Sequence, residues 1–177
     1  MFYLRKVTRG RWPKENNLPQ ATLTDIEADT VVSEFRTDKN KLSVWKIETE
    51  DDLSDAFIAL ASNCDNIGTI DAVKIDEQDL TDISFDEEEG NTPTVGINHK
   101  HRNIIDLNYV NLGTVIQSMI YGFQNDRYIH LTRGKLKQLL ADAYEQNRLN
   151  TEELAPSVLR DIEKTVKARR NASRIKS

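Results

Sequence analysis

The chain has 177 residues and a mass of 20.3 kDa; it is 38% hydrophobic and 30% charged, with a mean hydropathy of -0.60 and a net charge of -5. This fits one globular unit that can bury a core unaided, and the single cysteine, Cys64, excludes a disulfide framework or a cysteine-rich zinc site. No apolar stretch of signal-peptide length opens the chain, and the longest mainly apolar run, 112–123, is broken by Gly113, Thr114, Gln117 and Ser118, so a cytoplasmic protein with no membrane span is expected.

Residues 1–8 alternate as a strand, with Tyr3, Arg5 and Val7 on one face and Phe2, Leu4 and Lys6 on the other. Turn formers over 9–20 end it. Two β-favouring runs, 30–36 and 42–49, joined by polar residues 37–41, read as a hairpin. Thr49 and Asp52 then form a helix N-terminal signal, after which Leu53, Ala56, Phe57, Leu60 and Ala61 recur at helical spacing until Ser62 and Asn63. Residues 69–75 read as a further strand, and the turn at 90–93 marks an internal boundary.

Beyond it the chain turns helical. Asn111 is the expected cap of a helix with the stripe Leu112, Val115, Ile116, Met119, Ile120 and Phe123. A short strand over 127–131 leads to Thr132, the cap of a helix carrying Leu136, Leu139, Leu140, Ala143 and Tyr144. A last helix turns Val158, Leu159, Ile162 and Val166 inward, and the basic tail from Lys167 has little to bury and reads as frayed or partner-dependent. The fold class is therefore α+β: a small, mainly antiparallel sheet with a covering helix over 1–90, and a helix-rich portion over 91–177 packed on it as one cooperative unit.

Charge is segregated. Residues 21–90 hold 20 acids against five bases, a net -15, whereas 1–20 and 135–177 are each +4. The densest run, 76–89, contains Asp76, Glu77, Asp79, Asp82, Asp86, Glu87, Glu88 and Glu89 with no base among them. It reads either as a solvated loop or as a docking surface for a protein with a basic surface. Calcium is discounted, because Gln78, Leu80 and Thr81 stand where an EF-hand places ligands and glycine.

For chemistry, the candidate is His99-Lys100-His101-Arg102 with Asp106. In an extended chain His99 and His101 share a face and a metal ion, with Asp106, His130 or the acidic run completing the site. Lys100 and Arg102 would meet a substrate phosphate. The competing reading is a polar connection before a helix. No GxSxG, GxGxxG or P-loop pattern occurs, and Asp65 beside Cys64 disfavours a thiolate. A third candidate is nucleic-acid contact by the basic ends: Arg5, Lys6, Arg9, Arg11 and Lys14 with Tyr3 and Trp12, then Lys164, Lys167, Arg169, Arg170, Arg174 and Lys176. A pI near 5.3 counts against it.

The expectation is a small non-enzymatic interaction or regulatory protein, without a cofactor, whose acidic middle docks on a protein partner. Inhibitors, antitoxins, immunity proteins and host-defence accessories share this profile. A metal-dependent hydrolase or nuclease using His99 and His101 is the alternative, and a nucleic-acid binder the next.

Overall fold

The computed structural model describes residues 1–14, 17–35 and 39–175, with side chains as far as residue 172. Among the described residues six strands form one sheet: β1 (Phe2–Val7), β2 (Leu42–Ile47), β3 (Ile70–Asp76), β4 (Phe85–Asp86), β5 (His101–Ile104) and β6 (Tyr128–Leu131). Their order is β4-β5-β2-β1-β3-β6 and every pairing is antiparallel. The α+β class expected from the sequence is what the structure shows, with β5 and β6 from the second half of the chain completing the sheet.

Alternation along the central strands supplies two cores. Leu4, Trp45, Ile47, Ile70 and Ala72 face one side, where α2 (Glu50–Ser62), α4 (Arg133–Glu145) and α5 (Pro156–Ile175) cover them. Tyr3, Val7, Val44, Val73 and Ile75 face the other, covered by α3 (Tyr109–Gln124) and by the segment around α1 (Ala28–Glu34). Leu4, Val44 and Val73 are fully buried, as expected of strands sandwiched between helical layers.

The capping box on α2 is present: the Thr49 hydroxyl accepts from the Asp52 amide at 3.2 Å, and the Asp52 carboxylate accepts from the Thr49 amide at 2.8 Å. The α3 stripe is packed as its spacing requires, with Val115, Met119 and Ile120 fully buried.

Three expectations are corrected. The hairpin strand expected over 30–36 is not formed by residues 30–35: α1 occupies Ala28–Glu34, and β2 pairs with β1 and β5 instead. The β-branched run Thr30-Val31-Val32 favours a strand locally, but Thr30, Glu34 and Phe35 are buried at helical spacing. Phe35 meets Trp12 edge-on at 6.2 Å, and the Thr30 hydroxyl donates to the Arg11 carbonyl at 2.7 Å, so tertiary contacts override propensity. Arg36, which ends that run, lies outside the described residues.

The α3 cap is Asn108 and not Asn111; its Oδ1 accepts from the amides of Val110 and Asn111 at 2.9 and 3.0 Å, so the helix begins three residues earlier. Asn108→Ala is expected to lower stability by about 1 kcal/mol, with Asn111→Ala costing clearly less. Urea unfolding of both variants checks this; equal losses would return the cap to Asn111.

The basic tail is helical through Ile175, held by Arg169 on Asp142 and Glu145 and by Arg170 on Glu145, all contacts to α4. The Arg174 side chain and Lys176 lie outside the described residues. Among the described residues no helix is long and apolar enough to cross a membrane.

Candidate functional site

The His99/His101 stretch is not continuously extended. Residues Asn98–Lys100 form a 3-10 turn, and only from His101 does the chain enter β5. His101 Nδ1 lies 3.0 Å from the Glu88 carbonyl, and its ring meets Trp45 edge-on at 5.4 Å. His130, a candidate third ligand, sits on β6, four strands from β5, a span of roughly 19 Å. It lies 2.7 Å from Asp71, which also accepts from the Tyr128 hydroxyl. Asp106 follows β5 with a left-handed φ of 55°. Among the described residues no three or more His, Cys, Asp or Glu side chains are grouped to hold a metal ion.

The cations between and beside the histidines are engaged within the fold. Arg102 donates to the carbonyls of His99 and His101 at 2.7 and 2.6 Å. Lys100 turns inward to two buried carboxylates of α2, Asp52 and Asp55, and Arg148 joins Asp55 at 2.6 Å. This cluster ties α2, the 98–100 turn and the segment after α4 together. Burial pushes the Asp52 carboxyl up, but Lys100 and the amides of Glu48 and Thr49 outweigh it and hold its pKa at about 2. Burial likewise pushes the Lys100 ammonium down, and its two carboxylates more than reverse this.

The acidic run divides by residue type. Leu80 is buried, Ile83 packs beside it, and Phe85 stacks on Tyr3 at 4.4 Å, so apolar residues pin the run to the sheet. Three aspartates face bases: Asp76 and Asp79 face Arg127 at 3.4 and 3.6 Å, and Asp86 meets Lys41 at 2.7 Å. Lys41 also reaches Glu88 at 2.8 Å, and the hydrogen bonds it donates to both carboxylates raise its pKa. Glu77, Asp82, Glu87, Glu88 and Glu89 are exposed. Arg102 is 3.6 Å from Glu87, whose side chain is still 86% exposed.

The basic N-terminal segment is not arranged to stack on bases. Trp12 is buried against Phe123 with ring centroids 5.0 Å apart, and Tyr3 is buried too. Arg5 donates to the carbonyls of Ser43 and Glu34 at 2.9 and 2.8 Å. Arg9 donates to the Pro13 carbonyl at 2.9 Å and lies over the Phe123 and Tyr128 rings. Lys6, Arg11, Lys14, Lys164 and Lys167 are exposed. Cys64 lies just past the end of α2, its thiol 3.2 Å from the Leu60 carbonyl.

The chain matches no protein-family model, no curated protein and no solved structure.

Two surfaces went unread in the sequence. One is the outer side of α3, where Tyr109 and Val110 are 96% and 76% exposed and the helix has no charged residue. Its sequence signal is the absence of any charged residue over 109–124. The other lies along β6. Finding it requires the strand order, which no local pattern encodes.

Proposed function

We propose that this protein is a non-enzymatic interaction subunit of a cytosolic complex, docking through its outward carboxylates on a protein partner with a basic surface. The observation that supports this reading is the division of the acidic run: the half-buried aspartates pair with Lys41 and Arg127, leaving Glu77, Asp82, Glu87, Glu88 and Glu89 at the surface. A cluster of one sign pinned to a sheet steers and orients a partner of the opposite sign. Inhibitor-like and immunity-like proteins are the class with this profile.

The informative variant reverses Glu77, Asp82, Glu87 and Glu89 to lysine. It spares Asp86 and Glu88, which hold Lys41 in place. Untagged wild-type protein isolated from its own cells is expected to co-elute stoichiometrically with a protein component that dissociates as salt rises from about 50 mM to about 300 mM. The reversed variant, folded by circular dichroism, is expected to lose that component. Retention with unchanged salt dependence would refute acidic docking.

A further inference from the structure

The two edges of the sheet differ. At one end, β4 is two residues long and lies within the acidic run, a short, charged edge of the kind that resists unwanted pairing. At the other end, β6 reads Tyr-Ile-His-Leu, with no lysine, glutamate or proline to protect it.

The register fixes which main-chain groups face outward. The Lys74 amide donates to the Arg127 carbonyl at 3.0 Å, and the pairing continues as Ala72 with Ile129 and Ile70 with Leu131. Because bonded and non-bonded pairs alternate in an antiparallel ladder, Ile129 and Leu131 direct their amides and carbonyls to β3. His130 directs its own to the open edge. Among the described residues no hydrogen bond is made to either His130 main-chain group.

On the side of this edge covered by α2 and α4 lies a cleft of about 340 Å³ lined by Leu53, Phe57, Ile129, Leu131, Lys135 and Leu139. Lys135 is exposed and makes no salt bridge among the described residues. An edge that offers main-chain bonds, beside an apolar pocket that can take side chains, is the arrangement used to capture an extended segment.

We propose that β6 and this cleft form a docking site for an extended segment of a partner protein, apolar at alternate positions and bearing a carboxylate that meets Lys135. A second copy of this chain fits less well. Self-pairing along β6 sets the two Lys135 ammonium groups on the same shared face, a like-charge arrangement. The site uses no residue of the acidic run: Glu87, Glu88 and Glu89 lie by β4 at the far edge, and although Asp76 and Asp79 meet Arg127 just before β6, they are no part of the cleft, so either proposal can fail alone.

The probe is a labelled peptide of alternating valine and threonine, about six residues long with an aspartate at each end, titrated against the full chain by fluorescence anisotropy. His130→Ala keeps the outward amide and is expected to bind within about threefold of wild type, whereas His130→Pro removes that amide without touching the β3 ladder and is expected to weaken binding about tenfold or more. Lys135→Glu should shift preference to a lysine-flanked peptide. Circular dichroism of each variant confirms the fold. No binding by the wild-type chain overturns the proposal, as does equal binding by the alanine and proline variants. A concentration-dependent dimer in sedimentation, lost in His130→Pro and kept in His130→Ala, gives the edge to a second copy and overturns it as well.

Discussion

Lys100→Met is expected to lower the unfolding free energy by about 3–5 kcal/mol, the cost of leaving buried carboxylates without their counter-charge. Among the described residues Lys100 is the sole cation on Asp52 and one of two on Asp55, and the side chains of those aspartates are only 12% and 10% exposed. Methionine keeps the aliphatic volume, so the loss reports charge and not a cavity. Lys41→Met removes a cation that also bridges two carboxylates, but in a solvated setting where such pairs contribute little. The two urea midpoints should therefore separate widely; similar midpoints would mean that water screens the Lys100 cluster. Acid provides a second readout. Asp52 titrates at about 2 in the fold against an ordinary 3.8, so its contribution is complete above about pH 4 and is lost as pH falls toward 2. With Lys100 gone the folded value rises toward or above the ordinary one, and the acid limb of the stability curve should shift to higher pH.

Gly122→Ala is expected to cost about 2–3 kcal/mol, because the helix and sheet meet there with no room for a methyl group. A Cβ at Gly122 would stand 2.6 Å from Val73 Cγ2 and 2.7 Å from the Lys74 carbonyl oxygen. The valine can rotate. The carbonyl cannot yield cheaply, since β3 is held between β1 and β6. Gly113, on the same helix, is the control: a Cβ there meets nothing within 4 Å, and alanine should stabilise the helix by about 0.5–1 kcal/mol. Thermal melts of the two variants should move in opposite directions. A shared direction would mean that helix propensity, and not the close approach, governs position 122.

The elements legible in the sequence were those whose information is local. Thr49 with Asp52 announces α2, and the i, i+3, i+4 stripe from Leu112 to Phe123 announces α3 and its buried side. The failures are equally specific. Thr30-Val31-Val32 signals a strand to any local reading, and contacts with residues distant in sequence, Arg5, Thr8, Arg11 and Trp12, hold it as a helix. Asn111 has the position of a cap because it precedes the apolar stripe, yet Tyr109 and Val110, whose side chains are exposed, extend the helix back to Asn108. Among the candidate sites, composition revealed the acidic run but not its division, because Lys41 and Asp86 are 45 residues apart. The same holds for Lys100 and Asp52, 48 residues apart. Fold class follows from periodicity; which charges neutralise one another follows from topology.

The strand order also bears on how the chain is made. Its first strand lies between β2 and β3, and α2 joins those two flanking strands, so the three central strands and one covering helix are all encoded before residue 77. A nascent chain at the ribosome can thus assemble the middle of the sheet from near neighbours in sequence, which is the rapid kind of assembly. The outer strands β5 and β6 and the helices α3, α4 and α5 come afterwards. In that interval both sides of the young sheet carry uncovered leucine, valine and isoleucine, and the unpaired outer margin of β3 waits for β6. Synthesis halted between β3 and α3 should yield a species that chaperones retain, and its release should follow the emergence of α3 and β6.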